Sequence, residues 1–282
     1  MFFTIIKCIK DVKCGGSFMI VIGEKLNSSI PSVFKAFEER DTEKIRSLVS
    51  LQLEAGAEYL DVNGAACMEK ELDTLLWASR EALSLGAKLM VDSPNGEIIH
   101  HALSELNVSD VIVNSVTLES DRFDSTMQAV EKFGAKIVAL PISDSGIPQD
   151  AESRINLSVE LIEKIKERGV PCENIFLDVL IQTLGTDHEC GRVALDTIRA
   201  IRAKYPDVHI IGGLSNVSFG LPKRAVINGA FLSAAITCGL DAAIMDNTNA
   251  DLRLTMRAAL LANGYDEYCM DYLDTYRAIY PE

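Results

Sequence analysis

Short apolar runs alternate with longer amphipathic stretches along nearly the whole chain. Eight short runs are rich in valine, isoleucine and leucine, the composition of buried β-strands. They cover residues 19–23, 59–62, 88–91, 111–113, 136–140, 175–177, 209–211 and 242–245. Between the runs, apolar residues recur at helical spacing. The predicted helices are residues 41–55, 70–85, 97–106, 121–133, 152–168, 192–204, 223–238 and 251–262.

This alternation predicts the fold class. Apolar strands separated by helices are typical of an α/β protein with a parallel sheet covered by helices. Eight strand–helix pairs are the number that closes a (β/α)₈ TIM barrel, so residues 19–282 are predicted to form one such domain. A doubly wound open sheet is the structural alternative. Residues 1–18 break the pattern and are interpreted as an N-terminal extension, either foreign to the domain or disordered.

Charge and composition disfavour several classes of partner and location. The chain of 282 residues has 27 basic and 41 acidic side chains, and its net charge of −14 disfavours nucleic acid and anionic membranes as partners. Its longest apolar stretch, residues 230–240, is shorter than the roughly 20 residues that span a bilayer. Seven cysteines without a CxxC pair indicate reduced thiols, and therefore a cytoplasmic protein.

Polar residues follow nearly every predicted strand, at the end where barrels of this type carry their active sites. They are Glu24, Asn27, Asp61, Asn63, Asp92, Asn114, Asp178, Gly213, Ser215, Asn216 and Asp246. Any one of them alone could be a helix cap or a turn residue. Together they predict a barrel mouth lined by carboxylates and amides, which suits a neutral ligand with many hydrogen-bond donors.

The negative charges among these groups favour one kind of ligand. A 2-amino-4-oxo pyrimidine edge presents an amino group and a ring N–H, a pair of donors that matches one carboxylate. A phosphorylated ligand is disfavoured, because Gly212-Gly-Leu-Ser215 is not a GxGxxG loop and no lysine follows it directly. The four histidines show no spacing typical of zinc ligands, so no tightly bound metal is predicted.

Six motifs at the strand ends occur together, in this order, in a known family. They are Ile22-Gly-Glu-Lys-Leu-Asn27, Gly56-Ala-Glu-Tyr-Leu-Asp-Val-Asn63, Val91-Asp-Ser93, Val113-Asn-Ser115, Phe176-Leu-Asp-Val-Leu-Ile181 and Gly213-Leu-Ser-Asn-Val-Ser218. The set resembles the methyltetrahydrofolate:corrinoid (iron–sulfur) protein methyltransferases of the pterin-binding, dihydropteroate synthase-like TIM barrel superfamily. The likeness covers residues 19–269. It implies a barrel of the pterin-binding type, a homodimer, and folate bound at the strand ends.

The resemblance also assigns roles to residues. The implied pterin-binding residues are Asp92, Asn114, Asp178, Gly213, Ser215, Asn216 and Arg224. Among them, Asp178 grips the amino edge of the pterin and Asn216 is the amide that reaches N5. Asn216 and Asp92 are the implied catalytic residues. The motif positions with less defined roles, behind these contacts, are Glu24, Asn27, Asp61, Asn63 and Asp246.

The activity that the resemblance implies is transfer of a methyl group between N5 of (methyl)tetrahydrofolate and the cobalt of cobalamin carried by a transient partner, a corrinoid protein. Such transfer belongs to anaerobic one-carbon metabolism: the acetyl-CoA pathway, O-demethylation, or methylamine and glycine betaine demethylation. In our hypothesis Asn216 stabilises N5 as it gains a proton, which Asp92 supplies through water. The alternatives are a dihydropteroate synthase-like enzyme and a non-catalytic pterin-binding protein.

Overall fold

A computed structural model describes residues 19–281, and the extension predicted for residues 1–18 lies outside these residues. Eight parallel strands form one sheet. They are β1 (Ile20–Asn27), β2 (Tyr59–Asn63), β3 (Lys88–Asp92), β4 (Ile112–Leu118), β5 (Lys136–Ser143), β6 (Ile175–Asp178), β7 (His209–Ile211) and β8 (Ala242–Met245). The first seven strands pair with their neighbours in chain order, and β8 returns to pair with β1.

The sheet closes between β7 and β8. The backbone N–H of Ile244 donates to the carbonyl of Gly212 at 3.1 Å, and that of Asp241 donates to Ile210 at 3.3 Å. These bonds turn the eight-stranded sheet into a closed barrel, so the predicted (β/α)₈ architecture is confirmed and a doubly wound open sheet is excluded.

Helices follow the strands and cover the barrel. They are α1 (Pro31–Glu39), α2 (Thr42–Glu54), α3 (Glu71–Ser84), α4 (Gly96–Leu106), α5 (Phe123–Phe133), α6 (Ala151–Glu167), α7 (Cys190–Lys204), α8 (Arg224–Cys238), α9 (Ala250–Ala262) and α10 (Met270–Ile279). Eight of them match the predicted segments. The sequence did not predict α1, which begins at Pro31, or α10. No helix within residues 19–281 is long and apolar enough to cross a membrane.

The interior of the barrel explains where the polar strand ends point. A buried plug fills its centre, formed by Ile22, Tyr59, Met90, Ile112, Val138, Phe176, Ile211 and Ala242. Side chains alternate between the two faces of a strand, so the residue two positions further along also faces inward. Two positions after Ile22, Tyr59 and Phe176 the chain has Glu24, Asp61 and Asp178. The polar residues therefore stand directly on the apolar plug, at the carboxyl ends of the strands.

Ion pairs close the opposite, amino-terminal end of the barrel. Asp241 accepts from the backbone N–H of Ile210 at 2.7 Å, pairs with Arg202 at 2.9 Å, and lies 2.8 Å from Nδ1 of His209. Arg202 also donates to the carbonyl of Gly239 at 3.1 Å through Nε. This end is tied together by paired charges, whereas the carboxylates of the mouth include several without a direct cationic partner.

Candidate active site

Asp61 is the most deeply buried carboxylate of the barrel mouth, with 2% of its surface exposed. Its Oδ1 has no hydrogen-bond partner among residues 19–281. Burial, together with the charge of Asp92, raises the pKa of Asp61 well above its usual value, and the amides of Asn114 and Asn27 only partly oppose this. Asp61 therefore holds a proton at a pH where an exposed carboxyl group would be ionised.

Asp92 is fixed by the neighbouring strand. It accepts a 2.8 Å hydrogen bond from Nδ2 of Asn63, whose Oδ1 in turn accepts from Oγ of Ser28 at 3.1 Å. Burial raises the pKa of Asp92 to about 6, the Asn63 hydrogen bond lowers it, and the charge of Glu71 raises it further. Asp61 and Asp92 thus form a pair of neighbouring carboxyl groups that repel each other when both are ionised.

Asp178 ends β6 and caps its own loop. Its Oδ1 accepts the backbone N–H of Leu180 at 2.7 Å, which aims the carboxylate across the mouth. Burial raises the pKa of Asp178 to about 6, while the Leu180 hydrogen bond and the charge of Arg154 lower it. A carboxylate with one oxygen held by the backbone can offer its remaining lone pairs to a pair of ligand donors.

The loop after β7 is a short 3₁₀ helix, Leu214–Ser218, that is tied to both sides of the mouth. Ser215 donates through Oγ to Oε1 of Glu24 at 2.8 Å. Arg224 donates to the carbonyl of Ser215 at 2.6 Å and to Oγ of Ser218 at 3.1 Å. Arg224 therefore braces this loop, and the pterin contact that the resemblance implies for it stays a prediction.

Asn216 is exposed at the rim of the mouth, on the loop that Ser215 and Arg224 hold. A Cβ atom built on Gly213 would lie 3.0 Å from Nδ2 of Asn216, so the amide packs over the backbone of Gly213. A glycine at this position leaves room for the Asn216 side chain to rest against the loop.

Two predicted members of the site are already engaged. Asp246 pairs with Lys25 at 2.6 Å and accepts from Oγ1 of Thr248 at 2.6 Å, and these bonds help to lower its pKa. Asn27 accepts the backbone N–H of Ser29 at 2.9 Å through Oδ1, and its amide opposes the raised pKa of Asp61. Both residues shape the surroundings of the other carboxylates of the mouth and have fewer free atoms for a ligand.

Three basic residues near the mouth were missed by the sequence analysis. Lys25 pairs with Asp246, the charge of Arg122 acts on Asp92, and the charge of Arg154 acts on Asp178. Lys25 stands inside the first strand motif, and its position on β1 next to β8 was the available signal. Arg122 and Arg154 come from α5 and α6 segments whose local pattern is that of an ordinary helix. No three histidine, cysteine or acidic side chains within residues 19–281 are grouped as a metal site.

Comparison with known families adds to this geometry. Residues 23–246, from β1 to the end of β8, match the family described as pterin binding enzyme. The chain belongs to the pterin-binding enzyme family. Its barrel is also similar to two dihydropteroate synthases of this fold. The enzyme of Coxiella burnetii, in complex with pteroic acid, has a TM-score of 0.68 and 16% identity, over 92% of this chain and 98% of the other. The enzyme of Xanthomonas albilineans has a TM-score of 0.67 and 17% identity, over 87% and 94%.

Two named enzymes are related to this chain in sequence. This pterin-binding family member is 35% identical to the methylcorrinoid:tetrahydrofolate methyltransferase of Eubacterium limosum, over 92% of this chain and 96% of that enzyme. It is 33% identical to the methionine synthase of Mycobacterium tuberculosis over 80% of this chain, but only 20% of the synthase. The match therefore spans almost the whole of the first enzyme and a fifth of the second.

Proposed function

We propose that the chain is a methyltransferase that moves a methyl group between N5 of tetrahydrofolate and the cobalt of a corrinoid held by a partner protein. The observation that carries the proposal is the identity to the Eubacterium limosum methylcorrinoid:tetrahydrofolate methyltransferase across 96% of that enzyme. The likeness to dihydropteroate synthases is 16 to 17% in sequence and reflects the shared barrel.

The carboxylates of the mouth support a pterin as the ligand. Asp178 keeps lone pairs free beside its backbone hydrogen bond, and Oδ1 of Asp61 is buried with no hydrogen-bond partner in the described part of the chain. A buried acceptor that lacks a donor destabilises the free protein, and a ligand donor removes this cost. The 2-amino group and ring N–H of a pterin supply two parallel donors for Asp178. Asp92 and Asn114, on the neighbouring strands β3 and β4, complete the pterin contacts.

The chemical step needs a proton at N5. In the direction from folate to cobalt, the N5–CH₃ bond breaks while the Co–CH₃ bond forms, and N5 keeps the electron pair and takes up a proton. Asn216 does not titrate, but its amide can donate to or accept from N5 and so stabilise the charge that develops there. In the reverse direction N5 must lose its proton before it accepts the methyl group, and the same residues serve both directions.

The coupled carboxyl groups are the proton reservoir in this proposal. Asp61 carries the strongly raised pKa and Asp92 the pKa of about 6, so the pair keeps one proton near neutral pH. A group whose pKa lies close to the working pH transfers protons efficiently. Asp92, which is partly exposed, delivers the proton through water, and Asp61 refills it. The hypothesis from the sequence named Asp92 as the source of the proton, and this proposal adds Asp61.

The partner and the assembly are also proposals. The corrinoid must approach over the open mouth, where Phe219 is 70% exposed beside Asn216 and offers an apolar contact. Since the corrinoid protein has to bind and leave in each cycle, its interface is transient. We infer a homodimer in the cytoplasm from the resemblance and from the reduced thiols that the sequence indicates.

A spectroscopic assay tests the function. We expect the purified protein to methylate free cob(I)alamin with 5-methyltetrahydrofolate, and to transfer the methyl group of methylcobalamin to tetrahydrofolate. A mixture of dihydropterin pyrophosphate and p-aminobenzoate should give no dihydropteroate. Formation of dihydropteroate, or pterin binding without methyl transfer in either direction, would contradict the proposal.

A further inference from the structure

A fully buried arginine lies under the loop that carries Asp178. Arg154, on α6, has no exposed surface. Its Nη1 donates to the carbonyls of Val179 and Leu180, both at 3.0 Å. Its Nη2 donates to the carbonyl of Pro148 at 2.9 Å and to Oε1 of Gln182 at 3.0 Å. The guanidinium thus holds the first residues after β6 from below.

These hydrogen bonds hold an unusual backbone. Leu180 has a φ of 53°, in the left-handed region that costs a branched residue on the order of 1 kcal/mol. The same residue donates its backbone N–H to Asp178, and its carbonyl accepts from Arg154. The orientation of the Asp178 carboxylate therefore depends on a strained turn whose two carbonyls, of Val179 and Leu180, accept from Arg154.

The charge of Arg154 is as unusual as its position. Its four acceptors are three carbonyls and an amide, so none of them neutralises the guanidinium. Burial lowers the pKa of Arg154, and Asp178 is the first of the groups that raise it, followed by Cys190 and Asp150. A buried cation destabilises the fold unless a nearby anion compensates its charge. Asp178 is the carboxylate of the mouth whose negative charge interacts with Arg154.

We propose that Arg154 is a positioning residue of the pterin site: it fixes the loop that aims Asp178, and its charge keeps the Asp178 carboxylate ionised. The inference rests on the proposed function, since Asp178 is the residue that we assign to the pterin amino edge. The two parts of the role differ in what they require. The orientation of the Asp178 carboxylate requires the forked donors of the guanidinium, whereas the ionisation of Asp178 requires only the positive charge.

Titration of Asp178 in the ligand-free protein tests the charge without any substrate. The ¹³C resonance of its carboxyl group is assigned by its loss in Asp178→Asn and followed against pH by NMR. In the wild type we expect a midpoint near pH 6. Arg154→Gln should raise it by about one unit or more, and Arg154→Lys should leave it nearly unchanged. A midpoint in Arg154→Gln equal to that of the wild type overturns the proposal.

Binding of 5-methyltetrahydrofolate tests the aim. Arg154→Lys should bind it about tenfold more weakly at every pH, because a lysine cannot reach all four acceptors. Arg154→Gln should show the same loss of affinity, and its affinity should begin to fall at a higher pH on acidification than that of the wild type. If Arg154→Gln does not fold, the lysine variant decides alone, since wild-type affinity in it overturns the proposal.

Arg202→Gln is the matched control. Arg202 is also largely buried and also donates to backbone carbonyls, but at the opposite end of the barrel. Its loss should lower the melting temperature and leave both the Asp178 midpoint and the shape of the binding pH profile unchanged. If the wild type does not bind 5-methyltetrahydrofolate, the proposed function fails, while the carboxyl titration still decides whether Arg154 controls Asp178.

Discussion

The hydroxyl of Ser215 donates a 2.8 Å hydrogen bond to Oε1 of Glu24, and so ties the loop after β7 to the end of β1. The two residues are 191 positions apart in the chain. Burial raises the pKa of Glu24, and the Ser215 hydrogen bond is the largest of the effects that lower it. One hydroxyl therefore both anchors the loop of Asn216 and stabilises the ionised form of a carboxylate in the mouth.

Loss of this anchor should slow methyl transfer. In Ser215→Ala the loop of Asn216 becomes looser and the pKa of Glu24 rises further, because the hydrogen bond that lowers it is gone. A hydrogen bond of this kind contributes about 1 kcal/mol or more, so we expect a rate about fivefold lower in stopped-flow assays. Ser84→Ala, which removes a 2.7 Å hydrogen bond at the end of α3, should leave the rate unchanged. A wild-type rate in Ser215→Ala would show that the loop needs no anchor.

Asn216→Ala should separate binding from chemistry. Removal of the amide takes away the group that stabilises the charge developing at N5, so the transfer rate should fall by about 100-fold in both directions. Equilibrium binding of tetrahydrofolate, measured by calorimetry, should change far less, because the pterin edge is held by other residues. Asn174→Ala, in the turn before β6 at the far end of the barrel, serves as the control and should retain wild-type rates. Wild-type turnover in Asn216→Ala would refute the assigned role.

Asp178→Asn should trade ligand affinity for stability. Asparagine has the same shape and can still accept the N–H of Leu180, but it carries no charge. The pKa of Asp178 is raised to about 6 in the folded protein, so the ionised side chain destabilises the fold at about pH 8. The variant should therefore gain on the order of 2 kcal/mol of unfolding free energy at that pH. It should also bind tetrahydrofolate about 100-fold more weakly, because the charge-assisted pair is lost.

Denaturant unfolding and calorimetry check the two halves of this prediction. The half-exposed Asp196, which pairs with Arg199 at 2.8 Å on α7, provides the control variant Asp196→Asn. It should change neither stability nor affinity by a measurable amount. An Asp178→Asn protein that binds tetrahydrofolate as tightly as the wild type would remove Asp178 from the pterin site.

The fold could be predicted from the sequence because the strands are short apolar runs and the helices repeat apolar residues at helical spacing. The exception is instructive: β1 runs four residues beyond the predicted end, to Asn27. Glu24 and Lys25 interrupt the apolar pattern there, where the register of β1 is irregular between Gly23 and Leu26, so the strand continues where hydrophobicity stops. The following Ser-Ser-Ile-Pro segment is typical of a turn, and α1 was missed for that reason although proline is common at the first position of a helix.

The candidate site could be predicted only as far as the strand ends. Carboxylates and amides at those ends share one edge of the barrel by topology alone, which places Asp61, Asp92 and Asp178 near each other without any knowledge of contacts. Arg154 lies 24 positions before Asp178, on the buried face of a helix. Its role depends on a tertiary contact with the carbonyls after β6, and the sequence pattern of one helix does not indicate such a contact.

Asp61→Asn should test the proton reservoir. The substitution keeps the shape of a fully buried side chain and removes its proton and its charge. If Asp61 refills Asp92, the methyl transfer rate should fall by about 100-fold in both directions, the lower end of the range for a lost general acid. The affinity for tetrahydrofolate should stay within about threefold of the wild type, which a merely misfolded mouth would not allow. Asp207→Asn, in the exposed turn before β7, is the control. Wild-type rates in Asp61→Asn would assign the proton to another group.

The two ends of the barrel should give the protein opposite responses to pH. At the mouth, the pKa values of Asp92 and Asp178 are raised to about 6 from 3.8, so the stability that their protonated forms provide is fully present below 3.8 and is lost progressively as the pH rises to about 6. At the other end, the pKa of Asp241 is lowered by its contacts with His209 and Arg202. The stability from that carboxylate is present above the unfolded value and is lost as the pH falls below about 4.

The ligand-free protein should therefore be most stable near pH 4 and should lose stability up to about pH 6, and thermal unfolding against pH measures this directly. Saturating tetrahydrofolate should flatten the decline on the neutral side, because its donors stabilise the ionised Asp178. Asp241→Asn should cost about 3 kcal/mol at pH 7, since it leaves Arg202 without its buried counter-charge, and should remove most of the acid limb. A stability that rises steadily from about pH 4 to pH 8 without ligand would contradict the raised pKa values at the mouth.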